Sequence, residues 1–153
     1  MDDTYAPVSS LDDVNGAYTG WGRELVAPAA GTVVRVRGDR PDQPLPNRSD
    51  PAFYAPEFAG GGDTGNHVVI DHGNGEFSLV AHMMAGSVLV AHGETVQQGQ
   101  PIGRLGNSGD TTGPHVHYQL QSGPDWTSAD ALPCSFINLS VDHLVRGSFF
   151  HAT

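Results

Sequence analysis

The sequence predicts a mainly β, antiparallel protein, and three observations predict it. Glycine (20 residues) and proline (11) cut the chain into short pieces, which favours short strands joined by turns over long helices. The apolar pieces that remain are short and rich in valine and isoleucine. No stretch carries the 3.6-residue apolar period of an amphipathic helix. At 153 residues, one domain with a sizeable core is expected.

The elements follow in order. Residues 1–24 are acidic and weakly patterned. Thr32–Val36 is β-branched and follows the turn Ala27-Pro28-Ala29-Ala30-Gly31, so it reads as a strand. Gly38–Gly65 is rich in Pro, Asp and Gly and reads as one long surface loop. A loop of that length in a compact domain is usually functional or mobile. His67–Asp71 and Glu76–His82 flank His72-Gly73-Asn74-Gly75, a hairpin with Asn-Gly at its tip. Val88–Ala91, Val96 and Pro101–Leu105 are further short strands. His115–Gln121 alternates cleanly, and Phe136–Val141 reads as a last strand.

Charge excludes one class of partner. The formal net charge is −10 with only 7 basic residues, all scattered, so the footprint of a nucleic-acid binder is missing. No apolar run approaches the ~20 residues of a membrane span. The opening Met1-Asp2-Asp3 is acidic where a signal peptide would be basic. The single cysteine, Cys134, forms no disulfide within the chain and reads as a small packed residue beside Leu132 and Phe136.

The 8 histidines carry the chemistry. His92, His143 and His151 have no partner pattern and read as structural or exposed. His72 reads as a turn residue. His115 and His117 differ, because residues i and i+2 of a strand share a face. Val116, Tyr118 and Leu120 then face the core, and His115, His117 and Gln119 face away from it. Neutral imidazole is a favoured zinc ligand, and a second one beside it can serve as general base or steady a developing charge. In the preceding strand Phe77, Leu79 and Ala81 share one face, and Ser78, Val80 and His82 the other. If the two strands are neighbours, His82 completes a cluster of three.

Five stretches stand out together: Val26-Ala27-Pro28-Ala29-Ala30-Gly31-Thr32-Val33-Val34, Gly65-Asn66-His67-Val68-Val69-Ile70-Asp71-His72-Gly73, Ser78-Leu79-Val80-Ala81-His82, Val96-Gln97-Gln98-Gly99-Gln100-Pro101-Ile102-Gly103, and Gly106 through Leu120 with its Gly113-Pro114-His115-Val116-His117 run. In this order they resemble the lysostaphin-type zinc metallopeptidases, peptidase family M23. The last stretch is the most specific. The resemblance covers roughly residues 20–122 of a domain placed at 1–153, and the Gly123–Pro133 tail resembles a subset of the family.

The resemblance implies antiparallel sheets forming a groove, with loops such as Gly38–Gly65 at its rim. It implies a zinc-dependent endopeptidase that hydrolyses peptide bonds in the stem peptides or cross-bridges of bacterial peptidoglycan, outside the cytoplasm. By resemblance His117 is a zinc ligand. His82 and His115 are then the catalytic non-ligand histidines, one as general base and both steadying the oxyanion.

The chain departs from the family at its first motif, a His followed four residues later by an Asp, which supplies two further zinc ligands upstream of Val26. No histidine precedes His67, and Ser9 stands where one would serve Asp13. Two expectations follow. Either the chain is incomplete at its N-terminus and the motif lies before Met1, or the domain is a degenerate binding or regulatory module. A third class, the glucose-type phosphotransferase carriers, shares an Ala-Pro-x-x-Gly strand and paired histidines but not the Gly-Pro-His-x-His-Tyr run.

Overall fold

The computed structural model describes residues 14–135. The strand expected at Phe136–Val141, together with His143 and His151, lies outside the described residues. Among the described residues seven strands appear: β1 (Glu24–Val26), β2 (Gly31–Arg37), β3 (Asn66–Asp71), β4 (Phe77–Met83), β5 (Thr95–Val96), β6 (Pro101–Arg104) and β7 (His117–Gln121). They form a five-stranded sheet in the order β5-β2-β3-β4-β7 and a two-stranded sheet of β1 and β6. Every pairing is antiparallel. Among the described residues the only helical pieces are three single 3-10 turns, as the glycine and proline content predicts.

The hairpin forms as its turn chemistry dictates. Asn74 adopts φ 56° between Gly73 at 79° and Gly75 at 77°, and the His72 amide donates to the Glu76 carbonyl at 2.9 Å. His72 does the turn work expected of it. Its Nδ1 bonds the Ala30 carbonyl at 2.8 Å and its Nε2 bonds Ser78 Oγ at 2.8 Å.

Apolar side chains cover both faces of the large sheet. Val33, Val68, Ile70, Val80 and Met83 pack with Ala27 and Ile102 of the small sheet's side. Val69, Leu79 and Ala81 pack on the opposite face, where Val34, Phe77 and Trp126 cover them. Burial of that kind contributes roughly 1.5–3 kcal/mol per large aliphatic side chain. Central β3 is therefore buried from Asn66 to Ile70, and its run of apolar residues shows no alternation.

Three expectations are corrected. Val88–Ala91 is not a strand, and its tie to β6 is the Leu89 amide bonding the Ile102 carbonyl. β7 begins at His117, so Val116 does not face the core and is 45% exposed. Gly38–Gly65 is not a purely superficial loop. It buries Gln43, Tyr54, Ala55, Asp63 and Thr64, and Gln43 Nε2 bonds the Gly109 carbonyl at 2.7 Å.

Candidate active site

The site is built where β4 meets β7. Ala81 pairs with His117 and Val80 with Tyr118, so His117 shares the face of Ala81, and Tyr118 packs into the core with Val80. Strict alternation would place His82 with Val80, away from His117. A β-bulge prevents this. Val68 pairs with Val80 and Asn66 with Met83, so Ala81 and His82 together oppose the single residue His67. His82 takes φ 57°, left-handed backbone uncommon for a side-chain-bearing residue and concentrated at functional positions. The bulge returns Met83 to the core face and brings the His82 ring to the side of His117.

Loops supply the bonds that the ladder loses there. The His82 amide donates to the Thr64 carbonyl at 3.0 Å, and its carbonyl accepts from the Gly106 amide at 3.1 Å. Ser108 locks the arrangement. Its hydroxyl donates to the Met83 carbonyl at 2.7 Å and accepts the Asn66 amide at 2.9 Å. Asn66 is fully buried. Its side chain bonds Arg40 through both the amide and the carbonyl, each at 2.8 Å, and the Met83 carbonyl at 3.1 Å. Gly65 crosses Ser108 so closely that a Cβ there would lie 2.3 Å from the Ser108 carbonyl oxygen, and its φ is +59°. Only glycine fits that crossing.

Three imidazoles converge as a result. The His82 ring centroid lies 4.9 Å from that of His115 and 5.5 Å from that of His117. The Nδ1 of His82 meets the Ser108 carbonyl at 2.8 Å, and that of His115 meets the Gly113 carbonyl at 2.8 Å. A carbonyl only accepts, so both rings carry their proton on Nδ1 and present the Nε2 lone pair. Burial pushes His82 down to about 4, with the neighbouring imidazoles adding to the effect and the Ser108 carbonyl opposing it. His117 is also lowered, by burial first and His115 second, while the Gln119 side chain acts in the opposite direction.

Asp110 borders the cluster. Burial pushes its carboxyl up, but hydrogen bonds from Tyr54 (2.6 Å), the Gly62 amide (2.8 Å) and Ser49 (2.9 Å) outweigh burial and hold it below the ordinary carboxylate value. Sequence reasoning does not single out Asp110 or Tyr54. They lie 56 residues apart, and no local signal links them.

The same sheet face continues away from the histidines. Arg37 pairs with His67 and Arg35 with Val69, beside a cavity of about 550 Å³. The loop residues Glu57 and Phe58 line it. His92, read from sequence as structural or exposed, lines the same cavity. Burial lowers His67 to about 4. Its Nδ1 bonds the Gly65 carbonyl at 2.9 Å, and its ring packs edge-on against Trp126 at 4.7 Å.

The donor set does not amount to a zinc site. Among the described residues no group of three or more His, Cys, Asp or Glu side chains could hold a metal ion. Asp110, the carboxylate beside the cluster, is engaged by Tyr54, Ser49 and Gly62. A catalytic zinc site usually has three protein ligands.

Comparison with known proteins agrees with this architecture. A point mutant of the catalytic domain of EnpA, a prophage-encoded M23 protein from Enterococcus faecalis, superposes with a TM-score of 0.53 at 24% identity, over 74% of this chain and 68% of that one. The peptidoglycan DD-endopeptidase ShyA of Vibrio cholerae is 48% identical over 56 residues, 37% of this chain and 13% of the relative. The DD-carboxypeptidase/endopeptidase Mpg of Neisseria meningitidis is 47% identical over 60 residues, 39% of this chain and 13% of the relative. The matched segment thus spans about an eighth of each curated relative. The family model of peptidase family M23 matches residues 16–129. With that match over most of its length and the histidines converging on one sheet face, the chain belongs to peptidase family M23.

Proposed function

We propose that this histidine cluster is the proton-handling part of a peptidoglycan endopeptidase centre. The observation that carries the reading is the convergence of His82, His115 and His117 through the bulge at His82. A strand this buried has no packing reason to hold a histidine in left-handed backbone, and the nearby loops are spent on keeping it there. His82 and His115 each offer an Nε2 acceptor beside the other. One takes the proton of the attacking water. That ring, now protonated on Nε2, donates to the oxygen that gains charge as the peptide carbonyl becomes tetrahedral and then passes the proton to the leaving amine, while the other ring keeps its Nε2 as an acceptor.

Family M23 is zinc-dependent, and His117 is the described side chain assigned to the metal. The substrate is the stem peptide or cross-bridge of bacterial peptidoglycan, by likeness to relatives named as DD-endopeptidases. The site of action is then extracytoplasmic. A second reading, a non-catalytic module that binds wall peptides, is favoured by one observation, the incomplete donor set.

The two readings separate in one experiment. Purified peptidoglycan is digested with this chain, and with the chain extended by whatever coding sequence lies 5′ of Met1, both at saturating zinc. Muropeptides are then read by mass spectrometry. The peptidase reading expects the extended chain to open cross-links and to lose that activity in His82→Ala and His115→Ala. Binding to sacculi without cleavage by either chain would establish the module instead.

A further inference from the structure

The cavity farther along this sheet face, floored by His67, has a chemistry of its own. Arg35 and Arg37 stand at i and i+2 on β2, so both project onto the histidine face of the sheet. They are two of the 7 basic residues in a chain of net charge −10, and they stand side by side in this cavity with Asp125 and Glu57. Arg35 lies over the Trp126 ring, its guanidinium carbon 5.5 Å from the centroid. That packing orients the guanidinium plane. Phe58 closes another part of the wall.

Each guanidinium has a carboxylate partner. Arg35 pairs with Asp125 at 3.0 Å and Arg37 with Glu57 at 3.4 Å. Neither pair is buried. The side chains of Arg35 and Asp125 are 40% and 39% exposed, and those of Arg37 and Glu57 are 31% and 56% exposed. Solvated pairs of this sort are weak and exchange readily. The Arg37 pair is long, and its acid rides on the single 3-10 turn Pro56–Phe58. A guanidinium has five donors, enough to take a second carboxylate in fork geometry. Both arginines also act on His67 at the cavity floor, lowering its pKa behind the effect of burial, while the Gly65 carbonyl and Asp63 oppose them.

We propose that this cavity is a subsite for a free carboxylate of the peptide substrate, held by Arg35 and Arg37 over Trp126. The proposal rests on the peptide-substrate reading of the histidine cluster and adds the group recognised and its place on the chain. Arg37 pairs with His67, His67 faces Ala81 and His82, and Ala81 pairs with His117. Three interstrand steps of about 4.8 Å separate Arg37 from His117. That span of about 14 Å corresponds to roughly four residues of extended peptide. The subsite therefore reads a carboxylate three to four residues from the bond that is cut, and Glu57 occupies its place when substrate is absent.

The test uses the chain as it stands and needs no turnover. The probes are a peptidoglycan stem pentapeptide with free carboxylates and the same peptide with every carboxylate amidated. Binding is followed through the indole N–H resonance of Trp126. The acid form is expected to bind about tenfold or more tightly than the amide. Arg35→Gln and Arg37→Gln should each remove most of that difference, bringing the affinity for the acid down toward that for the amide. Glu57→Gln should strengthen acid binding by removing the competing carboxylate. Equal affinity for acid and amide overturns the proposal. So does weaker acid binding in Glu57→Gln with the arginine variants unaffected. If peptidoglycan digestion fails while the acid preference persists, the catalytic reading falls alone. If digestion succeeds without acid preference, the subsite falls alone.

Discussion

The ring centroids of His82 and His117 lie 5.5 Å apart, although the residue paired with His117 across the sheet is Ala81. The pairing and the proximity are compatible because β4 carries an extra residue at that point. The extra residue is held by Thr64, Gly106 and Ser108, all outside the sheet. The site therefore depends on contacts that the strands themselves do not make.

Gly65 tests that dependence. Gly65→Ala puts a Cβ 2.3 Å from the Ser108 carbonyl oxygen at φ +59°, and that oxygen is the partner of His82 Nδ1. The expected cost is about 3 kcal/mol or more from strain and overpacking together. Gly75→Ala is the control. Its φ of +77° carries the same backbone penalty, but nothing lies within 4 Å, so the cost is about 1–2 kcal/mol. Urea unfolding of the two variants measures the gap, and equal midpoints would contradict the crossing.

Asn66 makes a second case. Asn66→Ala strips partners from the Arg40 amide, the Arg40 carbonyl and the buried Met83 carbonyl. Each buried polar group left unsatisfied costs about 1–3 kcal/mol. The Met83 carbonyl keeps its bond from Ser108 Oγ, so the expected loss is about 3 kcal/mol in total. A loss under about 1 kcal/mol in chemical denaturation would show that water replaces the clamp at little cost.

His67 and His82 set a pH dependence. Burial holds both at about 4 in the folded chain, against about 6.5 when unfolded. Between those values the unfolded state binds protons that the folded state does not, so stability falls as the pH drops. The loss begins near pH 6.5 and is complete near pH 4, on the order of 3 kcal/mol for each group. His67→Gln should flatten the slope of unfolding free energy against pH in that window by somewhat less than half, since His82 and the also lowered His117 remain. An unchanged slope would refute the burial argument.

Zinc content gives a fourth check. With His117 the one ligand assigned among the described residues and no competent donor group there, the chain should retain well under one zinc per molecule after desalting. Loss of a partner behind the ligands already costs about 10–100-fold in affinity, and missing ligands cost more. His117→Ala should abolish the remainder. Stoichiometric zinc that survives desalting would mean that unrecognised donors complete the site.

Local chemistry is what the sequence makes legible. The Asn-Gly turn and the Gly113–His117 run each carry their signal within a few residues, and the structure forms the turn and gathers the two histidines. The sequence also brings His82 toward the cluster, but alternation assigns it to the face of Val80. The bulge that corrects this is held by Ser108, 26 residues away, and by Thr64, neither of which marks itself in the sequence. The long segment from Gly38 to Gly65 misleads for a related reason. Its composition is that of an exposed loop, yet Gln43 and Asp63 turn inward to satisfy backbone groups. Asp63 takes the Ala55 amide at 2.6 Å and the Gly65 amide at 2.9 Å. Val116 is misplaced when the alternation is extended two residues beyond the first real ladder pair.

The crossing of Gly65 over Ser108 also divides the molecule by durability. The hairpin of β3 and β4, with β2 beside it, is knit by ladder bonds under two apolar layers. The segment that carries Ser108, Thr111 and His115 is fastened chiefly by side-chain clasps to another loop. Local opening takes the route of least free energy, and here that route unclasps the two loops and leaves the sheet intact. Amides of Val68, Val69 and Ile70 then exchange with solvent only when the whole chain unfolds, while those of Asp110 and Gly113 exchange through a cheaper, partial event. Competence and foldedness become separate properties, and a variant can score as native by every measure of secondary structure after its histidines have ceased to face one another.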